Sequence, residues 1–310
     1  NITDKSRCTI EPIPASRTHG TAMASFLVAH DYGVAPDATL LTYQTSTDRD
    51  ISDGSCENPG GRRHNSISTL IDQAIDDGAQ IISLSEDSPG SSDSLKWAIA
   101  RAMSRGVIIV NSAGNTGADN NSNQLSKWSG VVGVAAITAD GQRASYSSWG
   151  NGVTTAAFGN PVASRNYETG KIEDTDGTSN SAALVSGMLA LARQKWPDAT
   201  ANQILQALTH TGLSPKHEWN KYTGYGAVNP SALVNTDPSQ YPDENPLAQK
   251  QGGSAPTAQE VQDYGDGLAT PDELTTDASY TYRGTDEFLL RDPDTKATIH
   301  LGTSPRYHRK

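Results

Sequence analysis

Long hydrophobic runs are missing from this 310-residue sequence. No window of about 18 consecutive apolar residues occurs, so the sequence predicts no membrane span. Positive charge is also scarce, because 24 Lys and Arg stand against 35 Asp and Glu, for a formal net charge of −11. This balance argues against a nucleic-acid partner. Apolar residues make up only 35% of the chain, so we expect part of it to lie outside the core.

Cysteine is limited to Cys8 and Cys56. Two cysteines in an exported protein often form one disulfide, and two buried thiols are the alternative. They are too few for a zinc site made of cysteine alone. The sequence also lacks an initiator Met and a signal-peptide pattern at Asn1, so we expect the chain to start inside a larger precursor.

Helix and strand patterns alternate over residues 1–235. Apolar residues at helical spacing predict helices at 18–30, 66–78, 94–106, 179–196 and 200–212. Short apolar runs predict strands at 38–45, 81–85, 107–115 and 131–137. This alternation predicts an α/β fold with a parallel β-sheet flanked by helices on both faces. Functional loops are then expected at the carboxyl ends of the strands.

Residues 236–310 have a different character. Acidic residues outnumber basic ones there, Pro and Gly are frequent, and no long apolar period continues. We therefore expect a folded domain at 1–235 and an acidic, largely irregular C-terminal tail at 236–310. Within that tail, residues 280–301 have weak strand character and are a candidate for docking.

Three short stretches carry the residue types that acyl transfer by a serine needs. His19 precedes Gly20-Thr21, Asn115 ends a turn after an apolar run, and Ser179 follows Gly177-Thr178 at the start of a helix. A serine hydroxyl needs a base, usually His, to take its proton. The oxyanion needs donors, which an amide side chain and a helix N-terminus can supply.

Each of these residues has a plainer interpretation when it is taken alone. Ser179 would cap a helix, His19 would be a partly buried histidine, and Asn115 would be a turn residue. Gly-Thr-Ser recurs at 302–304 before Pro305, where we expect a loop. The hypothesis therefore depends on the three stretches together, and the other histidines of the chain lack comparable context.

The three stretches resemble the motifs of subtilisin-like serine proteases, the subtilases. The matching segments are "HGT" at 19–21, "SAGN" at 112–115 and "GTS" at 177–179, and the resemblance covers roughly residues 15–235. It implies that Ser179 is the nucleophile, His19 the general base and Asn115 an oxyanion donor.

The resemblance also implies a secreted or cell-surface endopeptidase that acts on a peptide or protein substrate. Its chemistry would need no cofactor. Structural calcium, which many subtilases use, is possible, although no ligand loop is evident. The acidic tail resembles the linkers that join some bacterial subtilases, such as the mycosin group, to a membrane anchor, which would lie outside this chain.

The family's Asp has no evident counterpart. In subtilases it ends an apolar strand, before Thr or Ser and Gly, upstream of the His. Residues 1–18 contain Asp4, but no apolar strand and no following Gly. We therefore expect the Asp on a segment outside this chain, with Asp4, or a site that works poorly without Asp, as the alternatives. The strand that carries it would be central in the sheet.

Residues 83–88, "SLSEDS", correspond to a strand edge of the family. In the family that edge pairs with the substrate backbone and forms one wall of the specificity pocket. The resemblance implies substrate contacts from Ser83, Ser85, Glu86 and Gly114. The family commonly reads Ser-Leu-Gly at this strand edge, whereas here Glu86 and Asp87 follow Ser85. They are either solvated acids of an altered loop or an acidic pocket that favours Lys or Arg beside the scissile bond.

Asn180 and Ser181 also depart from the family, which usually has an apolar pair after the Ser. Such side chains bond local backbone groups near a helix N-terminus, so we interpret them as tolerated variation. Two rival functions stay open: a catalytically silent subtilase fold that binds peptides, and a peptide ligase with the same acyl-enzyme.

Overall fold

The computed structural model describes residues 1–6, 13–45, 66–86, 92–119, 124–214, 218–250 and 254–267. The expectations about Cys8, Cys56, Asp87 and residues 280–304 fall outside the described residues and stay predictions.

The strands are β1 (Ile2–Asp4), β2 (Leu40–Thr42), β3 (Ile81–Leu84), β4 (Ile108–Ser112), β5 (Val131–Thr138), β6 (Val153–Asn160), β7 (Val162–Arg165) and β8 (Ile172–Thr175). The α-helices are α1 (Pro14–Val28), α2 (Ile67–Asp76), α3 (Asp93–Ser104), α4 (Thr178–Lys195), α5 (Ala201–His210), α6 (Pro230–Asn235) and α7 (Ala258–Asp266). Every helix in the described part of the chain is too short or too polar to cross a bilayer.

The core is a parallel sheet in the order β3-β4-β5-β6. Every residue of β4 is buried, as are the first seven of β5. Continuous Val and Ile runs are typical of parallel strands that are covered on both faces. The predicted fold class is therefore confirmed.

Alternate residues of β4 point into two different layers. Ile108 and Val110 belong to the core formed with α4 and α5. Ile109 belongs to the core formed with α2 and α3. Successive strand side chains point to opposite faces, so helices on both sides bury one strand completely.

A second, two-stranded sheet lies apart from the first. β1 pairs in parallel with β2, with Asp4 opposite Thr42, and neither strand is hydrogen-bonded to β3. Asp4 thus ends a short strand, where the sequence suggested none. It is fully exposed, which is unlike a central strand.

The packed structure continues past residue 235. Leu247 is buried in the core with α4 and α5, and Tyr264 of α7 stacks on Trp97 with ring centroids 6.0 Å apart. The capping box of Thr257 and Glu260 begins α7. Residues up to 267 therefore pack on the domain, which differs from the tail expected to start at 236.

Candidate active site

The turn into α4 places Ser179 at the sheet's carboxyl edge. Gly177 precedes the helix with φ 153° and ψ 152°, a conformation that residues with a Cβ rarely adopt. Its N–H donates to Tyr146 Oη at 3.0 Å and to the carbonyl of Gly159 at 2.9 Å. These bonds hold the turn, so Ser179 enters the first turn of the helix partly exposed.

Hydrogen bonds to the amide oxygen hold the side chain of Asn115 in place. The Thr178 N–H and hydroxyl both donate to Asn115 Oδ1, each at 2.9 Å. Because Oδ1 accepts both bonds, Nδ2 faces the other way, and it has no hydrogen-bond partner among the described residues. The exposed Asn115 therefore presents a fixed donor.

Two donors border one small space. A Cβ built on Gly177 would lie 3.7 Å from Ser179 N and 3.8 Å from Asn115 Nδ2. Both groups are thus close to the same point beside the nucleophile candidate. A backbone N–H at a helix start and a side-chain amide form the donor pair that an oxyanion requires.

Reciprocal bonds connect Ser179 to the end of β3. Ser179 Oγ donates to the carbonyl of Ser85 at 3.2 Å, and Ser85 Oγ donates to the carbonyl of Ser179 at 3.1 Å. Deeper in the same interface, Ser186 Oγ donates to Ser83 Oγ at 3.0 Å. The structure thus brings Ser83 and Ser85 to the Ser179 helix.

His19 lies on α1, which packs against α4. Its side chain is exposed at the mouth of a cavity that Ser85 and Glu86 also line. Protein atoms on its inner side displace water and lower the pKa of His19 below its usual value. No hydrogen bond joins its ring to Ser179 within the described structure, where Ser179 Oγ is bonded to Ser85.

Asp4 is bonded to its own turn. Its Oδ1 accepts from Ser6 N at 2.9 Å and from Ser6 Oγ at 2.6 Å, and these bonds lower the pKa of Asp4. Among the described residues no bond connects it with His19. The structure brings Ser179, Asn115, Gly114 and the end of β3 together, but it does not join Asp4 to the histidine.

Glu86 is partly buried beside Ser85. Burial raises the pKa of its carboxyl group, although a hydrogen bond from Thr45 Oγ1 opposes that effect. The Asn111 side chain fixes the local backbone by donating to the carbonyls of Leu84 and Glu86, each at 3.0 Å. An acidic group therefore lies next to the residue that touches Ser179.

Both polar residues after Ser179 bond backbone carbonyls, but only Asn180 bonds one that is close in sequence, as predicted, whereas Ser181 bonds a carbonyl of β6. Asn180 Nδ2 donates to the Thr175 carbonyl at 3.1 Å, and Ser181 Oγ donates to the Ala157 carbonyl at 3.0 Å. Each side chain is buried with a partner, so the change from apolar residues leaves no unpaired group there.

Sequence reasoning missed two positioning residues, Thr178 and Tyr146. Besides holding Asn115, Thr178 accepts from Gly114 N through Oγ1 at 3.1 Å. Tyr146 accepts from Gly177 N and donates to the Gly159 carbonyl at 2.5 Å. The place of Thr178 in "GTS" was a usable signal, and Tyr146 lies in "ASYSSWG" at 144–150, a further segment that resembles the family.

Metal ligands are not gathered in the described part of the chain. No group of three or more His, Cys, Asp or Glu side chains there is placed to hold an ion. Calcium also binds backbone and amide oxygens, so structural calcium stays a prediction.

Comparison with known proteins gives a family match over most of the chain. The model of the subtilase family, peptidase S8, matches residues 2–226. A thermostable alkaline protease of Halalkalibacterium halodurans is 35% identical over 198 residues, which cover 62% of this chain and 52% of that protein. Mycosin-1 of Mycolicibacterium smegmatis is 28% identical over 284 residues, which cover 75% of this chain and 63% of that protein. The chain thus spans between about half and two thirds of these relatives' length.

Solved structures show the same likeness. MycP1 from Mycobacterium smegmatis has a TM-score of 0.60 at 26% identity, covering 77% of this chain and 74% of that one. The protease domain of PatA has a TM-score of 0.61 at 20% identity, covering 75% of this chain and 85% of that one, which is a likeness of fold alone.

Proposed function

The chain belongs to the subtilase family, and from that premise we propose that it is a serine endopeptidase that acts through an acyl-enzyme on Ser179. The arrangement of Ser179 N and Asn115 Nδ2 around one point carries this proposal. Thr178 fixes the amide before any substrate arrives. Preorganised donors of this kind are usually the largest contribution to acyl-transfer catalysis.

In the proposed reaction, an extended peptide pairs with the chain at Ser83–Ser85, next to Ser179. Ser179 Oγ leaves the Ser85 carbonyl by rotation about χ1 and attacks the scissile carbonyl carbon. His19 takes the hydroxyl proton and then gives it to the leaving amine. The negative oxygen is held by Ser179 N and Asn115 Nδ2. Water, activated by His19, then hydrolyses the ester and regenerates Ser179.

We further propose that Glu86 favours a Lys or Arg beside the scissile bond. Glu86 lines the same cavity as His19 and follows Ser85, whose carbonyl accepts from Ser179 Oγ. Cleavage of a peptide library with and without Glu86→Gln tests this. A preference for basic residues that weakens in the variant supports the idea, and an unchanged profile contradicts it.

By resemblance we also propose that the protein acts outside the cell or at its surface and that its chemistry needs no cofactor. Peptides or proteins would be its substrates.

A fluorophosphonate probe tests the catalytic proposal directly. The probe should label Ser179, and Ser179→Ala should abolish labelling while the protein stays folded by circular dichroism. Ser94→Ala, at a partly exposed serine in the first turn of α3, is the matched control and should leave labelling unchanged. Absence of labelling in the folded protein would favour the silent, peptide-binding alternative. Product mass then separates hydrolysis from ligation, because ligation adds no water.

A further inference from the structure

One tyrosine bonds both segments that carry the candidate oxyanion donors. Tyr146 lies in the connection between β5 and β6 and is half-buried. Its hydroxyl accepts from the N–H of Gly177, two residues before Ser179, at 3.0 Å. Its backbone carbonyl accepts from the N–H of Gly117, two residues after Asn115, at 2.7 Å. The side chain and the backbone of a single residue thus connect the two halves of the donor pair.

The hydroxyl of Tyr146 belongs to a closed set of hydrogen bonds at the start of α4. It donates to the carbonyl of Gly159 at 2.5 Å, and Gly177 N donates to the same carbonyl at 2.9 Å. The two glycines lie very close together, because a Cβ on Gly159 would be 2.8 Å from the carbonyl oxygen of Gly177. Three mutual hydrogen bonds therefore fix the turn before the nucleophile candidate against the end of β6.

Gly177 passes this position on to the donor pair. Its own N–H is held by Tyr146, and the next N–H along the chain, that of Thr178, donates to Asn115 Oδ1 at 2.9 Å. Because glycine has no Cβ, its backbone is the least restricted of all residues, so bonds on both sides are needed to hold it. Ser179 N follows directly, and its direction depends on the same bonds.

The loop that carries Asn115 is bonded to the same stretch of chain as Tyr146. Ser148 N donates to the carbonyl of Gly114 at 2.9 Å, and Thr116 N donates to Ser148 Oγ at 3.1 Å. Ser148 therefore bonds the chain on both sides of Asn115. One short segment between β5 and β6 thus holds the amide donor through Ser148 and the helix-start donor through the side chain of Tyr146.

The surroundings of the phenol keep it protonated. Burial raises the pKa of Tyr146, the bond from Gly177 N opposes that effect, and the negative charge of Asp176 raises the pKa further. A protonated hydroxyl accepts from Gly177 and donates to Gly159 at the same time. A phenylalanine ring at this place could do neither.

We propose that Tyr146 is a positioning residue whose hydroxyl holds Ser179 N and Asn115 Nδ2 at the separation that an oxyanion needs. The inference rests on the proposed function, because the two donors act on the negative oxygen formed during acyl transfer. Tyr146 would act through Gly177 and Thr178 and not on the substrate directly. A donor pair that is less well fixed stabilises the transition state less.

Tyr146→Phe tests this role in the full chain, because it removes the hydroxyl and keeps the ring. We expect kcat to fall about 10-fold with KM unchanged. This is below the roughly 10²-fold that a 1 Å misplacement can cost, because Gly177 keeps its direct bond to Gly159. Tyr222→Phe, at an exposed tyrosine outside the site, is the matched control and should keep the kcat of the parent.

A peptide aldehyde reports on the donor pair itself. Ser179 Oγ adds to its carbonyl carbon, and the carbonyl oxygen then takes the place of the oxyanion between the donors. Affinity for the aldehyde should fall in Tyr146→Phe by about the same factor as kcat, whereas affinity for the matching peptide alcohol should not change. Unchanged kcat and aldehyde affinity, or an equal loss in Tyr222→Phe, would overturn the proposal.

A double substitution separates positioning from a general loss of structure. If Tyr146 acts through the donor pair, Tyr146→Phe should lower kcat by less than about threefold once Asn115→Ala has removed one donor. A disturbance elsewhere in the protein would lower kcat by the same factor in both backgrounds. That additive result would refute the role of Tyr146.

Hydrogen exchange distinguishes this proposal from the catalytic one. The amides of residues 177–179 should exchange faster in Tyr146→Phe than in the parent, whether or not the protein turns peptides over. If exchange rises there but the parent neither hydrolyses peptides nor reacts with fluorophosphonate, the endopeptidase proposal fails and Tyr146 still holds the donor pair. If the parent hydrolyses peptides and exchange is equal in both proteins, the endopeptidase proposal stands and the role of Tyr146 is refuted.

Discussion

Asn115 shows how one hydrogen-bond pattern fixes a catalytic group. The amide oxygen accepts two bonds from Thr178, so the amide nitrogen has a defined direction before substrate binds. The hydroxyl of Thr178 also accepts from Gly114 N, which ties the loop to the helix start. At the residue scale, activity should therefore depend on Asn115 for charge stabilisation and on Thr178 for its orientation.

Asn115→Ala should lower kcat by roughly 10²- to 10³-fold with little change in KM, because the lost donor acts mainly on the oxyanion. The measurement is steady-state hydrolysis of a peptide substrate. Thr178→Ser, which keeps the hydroxyl, should remain close to the parent, whereas Thr178→Val should lose activity. Equal kcat in Asn115→Ala and the parent would remove Asn115 from the mechanism.

His19 makes a pH prediction whose sign follows from its surroundings. Although its side chain is exposed, protein atoms on its inner side displace water and lower the pKa of His19 below 6.5, and a general base works in its neutral form. The rate of fluorophosphonate labelling should therefore rise with pH and reach half its plateau below pH 6.5. Labelling between pH 4 and 9 measures this, and a midpoint above 6.5 would contradict it. His30→Gln, outside the site, should leave the midpoint in place.

At the scale of elements, the start of α4 determines the shape of the site. Gly187, further along the same helix, allows the segment between α1 and β2 to approach α4, because a Cβ there would lie 2.7 Å from Val34 Cβ. The same helix carries Ser179 into contact with the end of β3. Small residues on α4 therefore position the nucleophile relative to two other elements.

Gly177→Ala should reduce kcat and destabilise the protein by about 1–3 kcal/mol, because φ 153° is strained for alanine and its methyl group would occupy space 3.7 Å from Ser179 N and 3.8 Å from Asn115 Nδ2. Peptide hydrolysis and urea unfolding measure the two effects. Gly141→Ala separates them, since Gly141 also has positive φ, 78°, but open space around it. Gly141→Ala should lower the stability of the protein but leave kcat unchanged. Equal losses of kcat in both variants would mean that strain, rather than crowding of the donors, explains the effect.

At the scale of the whole molecule, the segment after residue 235 acts as part of the domain. Lys250 is buried, and its ammonium donates to the carbonyls of Ser126, Val131 and Gly152, at 2.5 Å for Val131 and 3.0 Å for Gly152. Burial lowers the pKa of Lys250 to about 7, while three carbonyl acceptors favour its charged form. One side chain thus connects the C-terminal segment to the amino ends of β5 and β6.

Lys250→Met should destabilise the protein by at least about 2 kcal/mol, because three buried carbonyls lose a donor. Urea unfolding measures the loss, and limited proteolysis should show earlier cleavage within residues 241–267. Lys171→Met, at an exposed lysine between β7 and β8, should change neither. Unchanged stability would mean that the apolar contacts of Leu247 and Tyr264 hold the segment by themselves.

Predictability from sequence differed between elements for physical reasons. The Ile and Val run of β4 and the small-residue helix α4 have strong periodicity, so both were predicted within a few residues of their bounds. β6 was missed because buried threonines bond backbone groups and hide the apolar pattern: Thr154 Oγ1 accepts from Gly133 N and Thr155 Oγ1 donates to Gly226 O. α7 was missed because its buried face is little more than Tyr264.

The sequence by itself determined the α/β class, the family and the residue types available for acyl transfer, because these follow from local periodicity and from short motifs. Tertiary structure alone decided that Asn115 Nδ2 and Ser179 N lie near one point beside Gly177, that Asp4 bonds Ser6, and that β2 and β3 line one cavity. Those outcomes depend on distances between residues that are far apart in the chain. The packing of the helices against the sheet determines these distances.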